Sequence, residues 1–248
     1  MDRLYHDQDL VQFYDHDNVW GTDDEFCLSL AKGRDRVLDL GCGTGRLATG
    51  IALAGHKDVT GVDPARSMLD VAAVKAGGDL VRWIEADART VRLGERFDLI
   101  VMTGHAFQCF LTDEERAAGL ATIAAHLAKG GIFIFDSRNP VTREWEEWVP
   151  EQSQETREHP RLGRVTGWNN VTWDEARQVA AYDTFYRIEK DGRIVHARSE
   201  IGFVTQERLL ALIEAAGLSV SRWMGDWSGG NFGPTSREII PMGGARRV

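Results

Sequence analysis

Residues 37–45, Val-Leu-Asp-Leu-Gly-Cys-Gly-Thr-Gly, restrict the folds open to this chain more than any other stretch. An apolar run carrying Asp39 ends in glycines at alternate positions, Gly41, Gly43 and Gly45, and Arg46-Leu47-Ala48 behind them can continue as a helix. That order predicts a strand, a tight turn and a helix N-terminus. Glycine takes positive φ without strain and has no Cβ to hold a ligand at a distance, and the first turn of the helix offers unpaired N–H groups. The stretch therefore predicts a nucleotide-binding corner.

The dinucleotide fingerprint G-x-G-x-x-G is not met, because the third glycine comes one residue early and Arg46 stands where the last should be. The phosphate loop fails as well, since no Lys-Ser or Lys-Thr pair follows. Asp39-Leu40-Gly41-Cys42-Gly43-Thr44-Gly45 instead resembles the first motif of the class I methyltransferases that use S-adenosylmethionine. The resemblance implies that the turn, Gly41 to Gly45 with Cys42 and Thr44, contacts the methionine part of that cofactor. It also implies that Asp39 orients the amino group through the loop or a water. Cys42 reads either as a small packing residue or as a reactive thiol.

Beyond the turn, the chain repeats the pattern of strand, turn and helix. Leu47, Ile51 and Ala54 share one helical face, Gly55 can stop that helix, and Gly50 within it would permit close packing on a sheet. A second strand, 58–62, ends at Asp63, 18 residues past Gly45. That is near the separation of about 20 at which nucleotide folds place an acid on a ribose. With Pro64 and the helix start at Ser67-Met68-Leu69, this resembles the family pattern, although a lone Asp there could equally be an exposed loop acid. A third strand, 80–85, delivers Asp87-Ala88, where the family places an acceptor for the adenine amino group. A fourth, 97–102, is an apolar run broken only by Asp98, of the kind buried on both faces of a sheet, and empties into Thr103-Gly104-His105-Ala106-Phe107. The resemblance also implies that Met68 and Met102-Thr103 pack around adenine and the sulfonium, with Gly104 and Phe107 among the cofactor contacts, Met68 being as readily a core residue. Thr112 and Glu115 form a capping box, Gly130-Gly131 end that helix, and 132–135 is the fifth strand.

At 248 residues, with 43% hydrophobic and 27% charged, the chain suffices for one large domain or a domain with an insertion. A net charge of -9 without a basic cluster disfavours nucleic acid or an anionic membrane as partner. No apolar run approaches the roughly 18 residues of a membrane span and 1–10 has no signal-peptide core, so a cytoplasmic location is expected. Cys27, Cys42 and Cys109 suit reduced thiols and match no zinc spacing; no metal is expected. The oligomeric state is not readable.

Residues 1–35, with Tyr5, Phe13-Tyr14-Asp15, Trp20 and Phe26, predict a helical cover over the corner. Tyr14-Asp15 resembles a Tyr-Asp pair near the start of many small-molecule methyltransferases, where the ring lies against cofactor or acceptor; alternatively Phe13 and Tyr14 dock the helix on the core. Residues 138–201 predict an inserted antiparallel β cap, with a hairpin at 179–201 around Asp191-Gly192. Its tryptophans, Trp145 among them, line an acceptor pocket or form the insert's own core. Trp20, Arg138, Trp145, His105 and Trp227 are the candidate acceptor-binding residues. A helix capped by Thr205, a strand at 218–224 and a last strand at 236–241 complete a core made of 36–137 and 202–248.

The expected fold is α/β: a doubly wound, mostly parallel seven-stranded sheet with an antiparallel last strand, plus the β-rich cap. Strand ends carrying Gly41–Gly45, Asp63, Asp87 and Gly104–Phe107 converge on one crevice. The expected function is transfer of a methyl group from S-adenosylmethionine to an O or N atom of a small-molecule acceptor. Such an in-line displacement depends chiefly on positioning. His105 is the first candidate base, imidazole being the side chain that exchanges protons between pH 5 and 8, and Tyr14 the second; a structural His is the other reading. A non-catalytic cofactor-binding protein and a nicotinamide oxidoreductase are the alternatives.

Overall fold

The computed structural model describes residues 11, 13–15, 18–56 and 58–246. Tyr5, expected in the N-terminal cover, lies outside the described residues. Strand β1 (Arg36–Leu40) feeds α2 (Arg46–Leu53), after a first helix α1 (Thr22–Ala31). Then come β2 (Asp58–Asp63), α3 (Arg66–Val74), β3 (Val81–Glu85), β4 (Phe97–Met102), α4 (Asp113–His126) and β5 (Leu127–Phe135). After β6 (Ser137–Arg138) lie the cap strands β7 (Glu155–His159), β8 (Gly163–Asp174), β9 (Val179–Ile188) and β10 (Ile194–Gly202). The core resumes with α5 (Gln206–Ala215), β11 (Leu218–Met224) and β12 (Glu238–Ala245).

The main sheet has the order β11-β12-β5-β4-β1-β2-β3. β1 to β5 pair in parallel, and β12 is antiparallel to both β5 and β11, as the direct connection from β11 required. Two-residue β6 adds to this by pairing with the start of β12. The cap is a second, antiparallel sheet of order β10-β9-β8-β7. No helix among the described residues is long and apolar enough to cross a membrane.

Burial on both faces explains why β4 is apolar at nearly every position. Ile100 and Met102 pack with Leu38, Leu40, Phe133 and Phe135 toward α4 and α5. Leu99 and Val101 pack with Val37 and Ile134 toward α1 and α2. Two cores therefore share one sheet, and the strands between them need no polar face.

Several local expectations fail for packing reasons. Gly130-Gly131 do not end α4, which stops at His126 and passes directly into β5. Gly130 is left-handed at φ +79°, and the register of β5 against β4 shifts there, so the pair forms a strand irregularity. The capping box is half made: Thr112 accepts from the Glu115 N–H at 3.3 Å, while the Glu115 carboxylate takes the Leu111 N–H at 2.7 Å. Gly50 leaves room for the Trp20 ring rather than for the sheet, a Cβ there falling 2.4 Å from it. Ala54 is exposed just beyond the end of α2. The last strand runs on past Pro241, because Gly243 admits Ser219 O where a Cβ would sit at 1.9 Å.

Ile100→Ala should lower stability by about 2–5 kcal/mol through the cavity it leaves. Val141→Ala, at a side chain 69% exposed, should stay within about 0.5 kcal/mol. Urea titration of the two variants checks both.

Candidate active site

The glycine turn is held by the end of β2. The N–H groups of Gly41 and Cys42 both donate to Val62 O, at 2.7 and 3.0 Å. Gly43 N–H donates to Asp63 Oδ2 at 2.9 Å, and Ala65 N–H to Asp63 Oδ1 at 2.8 Å. Asp63 is thereby buried and fixed in direction. Gly43 (φ +53°) has the Tyr14 ring 3.6 Å from where a Cβ would stand, and Gly45 (φ +74°) admits the Trp83 ring at 2.3 Å from that point. The turn is thus covered by the Tyr14 ring at contact distance above Gly43 and closed behind Gly45 by Trp83.

A crevice of about 1100 Å³ runs along the strand ends beneath the cap. Tyr14, Gly41, Gly43, Asp63, Pro64 and Met68 line it at one end. Asp87, Ala88, Met102, Thr103 and Gly104 continue the wall, and His105, Arg138 and Trp227 lie along it as well. Asp39, Cys42, Thr44, Gly45 and Phe107 stand behind the wall. Burial pushes the Cys42 thiol well up, so it is a packing residue rather than a reactive thiolate. Thr44 donates from Oγ1 to Asp15 Oδ1 at 2.5 Å, tying the strap at residues 13–15 to the turn. Phe107 is wholly buried and stacks on Phe135 at 4.3 Å, so it belongs to the core.

Two expected acceptor residues lie elsewhere. Trp20 covers Gly50 and donates to Glu25 Oε1 at 2.5 Å, outside the crevice. Trp145 is buried in the cap's own core, stacked on Trp173 at 3.9 Å and edge-on to Phe203. Arg138 is held by Gln108 Oε1 at 3.0 Å and Glu144 Oε1 at 3.0 Å, with its guanidinium over Trp148. Asp87 is engaged on both carboxylate oxygens by Arg89, whose hydrogen bonds hold its carboxyl below the usual range.

The sequence reasoning missed the wall facing His105. His105 Nε2 lies 3.0 and 3.1 Å from the two oxygens of Glu238, and its backbone N–H donates to Asp136 Oδ1 at 2.9 Å. Burial pushes the Asp136 carboxyl up, and the neighbouring Glu238 adds to it. Burial also opposes charge on Glu238, yet the His105 hydrogen bond together with Arg138 and Arg237 holds its carboxyl below the usual range. One donor atom from each of the three lies within 4.8 Å of the others, the spacing a cation would need. The hydrogen bonds among them account for the cluster without one. Asp136 had a signal, an acid at a strand end like Asp63. Glu238 had one as well, because the first residue of an antiparallel last strand arrives at the end where parallel strands finish. The cap adds Tyr182, Tyr186 and Glu200 to the crevice.

The site fits S-adenosylmethionine on its own geometry. The space over Gly41 exists only for glycine, a Cβ falling 2.9 Å from Ala106 Cβ and 3.7 Å from Met102 Cε.

Beneath the turn, Asp39 is pushed up to about 7 by burial and then by Asp24 and Asp63. Asp24, which pairs with Arg46, is pushed up to about 6, again mainly by burial. A folded-state value above the unfolded one means that the stabilising contribution is present at low pH and is lost as pH rises through the folded value. Asp39→Asn should therefore gain melting temperature relative to wild type as pH rises from about 4 to 7. Thermal melts of the cofactor-free proteins across that window measure it; a constant difference would contradict the assignment.

Residues 37–131 match the family described as methyltransferase domain. The cypemycin N-terminal methyltransferase of a Streptomyces species is 28% identical over 204 residues, 82% of this chain and 80% of that one. The glycine/sarcosine N-methyltransferase of Aphanothece halophytica is 35% identical over 121 residues, 46% of this chain and 45% of that protein. A crystal structure of an S-adenosylmethionine-dependent methyltransferase from Clostridium acetobutylicum shares the fold at a TM-score of 0.80 and 16% identity, covering 95% of this chain and 96% of that one. Glycine turn, strand order and relatives agree: residues 37–131 carry a methyltransferase domain, and the chain is similar in sequence and fold to S-adenosylmethionine-dependent methyltransferases.

Proposed function

We propose that this enzyme methylates an amine nitrogen of a small molecule held between the strand ends and the cap. The observation that carries the reading is that the cofactor corner and the His105 wall line one crevice. Its volume of about 1100 Å³ lies just above the range of roughly 300–1,000 Å³ for a single-ligand pocket. It has room for two molecules side by side. S-adenosylmethionine supplies a methyl group on a cationic sulfur. On this reading the turn at Gly41 and Gly43 takes its methionine end, Asp63 its ribose, and Asp87 with Ala88, Met68 and Met102 its base.

On the acceptor side, Asp136, Glu200 and Glu238 outnumber Arg138 and Arg198 along the crevice, an acidic balance that favours a protonatable amine. Tyr182, Tyr186 and Trp227 supply apolar surface. The names of both relatives, an N-terminal and an N-methyltransferase, point the same way. His105 takes the proton the amine must lose. Burial first, and Asp63 next, push the Tyr14 phenol far above its ordinary range, so Tyr14 acts as a neutral donor and not as a base.

Calorimetric titration should show binding of S-adenosylmethionine and its demethylated product, weakened about 10-fold or more in Asp63→Ala, as loss of charged hydrogen bonds costs about 1.5–3 kcal/mol. His105→Gln should keep that affinity and lower turnover by about 10²–10⁴ on whichever amine a panel of amines, hydroxy acids and phenols identifies. Methylation confined to the hydroxyl compounds would overturn the amine assignment.

A further inference from the structure

A histidine base has two ring nitrogens, and at His105 the residues around the ring decide which of them works. We infer that Glu238 is a positioning residue that fixes His105 in the Nε2–H tautomer, so that Nδ1 is the atom that takes the acceptor's proton. This inference rests on His105 as the base.

The chemistry of the contact admits one arrangement for a neutral ring. Glu238 has both oxygens within hydrogen-bond distance of Nε2. An ionised carboxylate is an acceptor only. Arg138 and Arg237, together with His105, keep Glu238 ionised against its burial. Nε2 must therefore carry the hydrogen of this bond, and in a neutral imidazole the lone pair then belongs to Nδ1. No described residue hydrogen-bonds Nδ1, and the ring is a quarter exposed, at 24%, on the crevice wall.

The backbone is committed to the same end. His105 is non-glycine at φ +60°, ψ +21°, a left-handed conformation that costs about 1–2 kcal/mol. Asp136 Oδ1 holds it there by accepting its N–H. Asp136 Oδ2, 3.8 Å from Nε2, places a second carboxyl beside the ring. The groups facing His105 are thus Asp136, just past the end of β5, and Glu238 from the start of β12, with Arg138 of β6 acting on both carboxyls.

The step balances. Nδ1 first takes a proton from the bound ammonium through its lone pair, which frees the nitrogen pair; that pair forms the nitrogen–carbon bond as the carbon–sulfur bond breaks, and the electron pair of the breaking bond goes to sulfur. The imidazolium that results is stabilised by Glu238 at Nε2. The proton leaves to solvent along the crevice.

The test is nitrogen NMR of the intact protein labelled with ¹⁵N-histidine, with the His105 signals assigned by their loss in His105→Gln. It needs no methyl acceptor, so its outcome is independent of whether the amine assignment holds. At a pH where the ring is neutral, wild type should show Nδ1 as the unprotonated nitrogen and Nε2 as the protonated one. Glu238→Gln, whose amide can donate as well as accept, should show a mixture of both tautomers while its melting temperature and S-adenosylmethionine affinity stay at wild-type levels. Nδ1 protonated in wild type, or the same tautomer in Glu238→Gln, would overturn the inference. Signals that move on addition of a chelator would overturn it in favour of a metal ion at the cluster. If Glu238→Gln melts early, Glu238→Asp serves, its shorter side chain lengthening the contact and admitting the second tautomer.

Discussion

The site depends on the carboxylate of Asp63. One oxygen takes the N–H of Gly43 and the other that of Ala65, so a single buried side chain locks the turn after β1 to the turn after β2. Val62 O, one residue earlier, takes two further N–H groups from the same turn. These bonds hold the glycines in their left-handed conformations, and the positions of Tyr14, Trp83 and Arg46 depend on that turn. An acid whose oxygens are already directed by backbone donors has little orientational freedom left to lose when it meets a ligand, which is how preorganised polar groups favour binding.

A second constraint comes from the far edge of the sheet. Because β12 enters antiparallel between β5 and β11, its first residue lies where the parallel strands end. Glu238 therefore reaches a histidine 133 positions earlier in the chain. Had β12 been parallel, its last residue would occupy that point and Glu238 would sit at the opposite end of the sheet. The same geometry brings Arg138 beside Glu238, through the pairing of β6 with the start of β12.

The strap at residues 13–15 ties the glycine turn to the cap. Phe13 stacks on Tyr186 at 4.2 Å, inside an apolar cluster with Val165 and Ile188. Tyr14 lies over Gly43, and Asp15 joins Thr44 to Lys75. Three successive residues thus contact the cap, the glycine turn and the end of α3.

Strand and helix order, the crevice at the strand ends and the antiparallel last strand were all legible in the sequence. Each comes from local pattern: apolar runs of strand length, glycines at the turns, and two strands with no helix between them. That Gly41, Gly43, Asp63, Asp87 and His105 line the crevice was legible for the same reason, since they stand at strand ends. What only the tertiary structure decided was which side chains meet. Trp20 and Trp145 are aromatic residues that could have faced a ligand or a core, and no periodicity distinguishes those partners; packing against Gly50 and Trp173 did. Gly130-Gly131 read as a helix stop, yet pairing with β4 turned them into a strand irregularity. The His105–Glu238 contact lay beyond any local signal, because its partner is set by the insertion of β12 across the sheet, and short-range sequence reports conformation but not which distant residue will lie opposite.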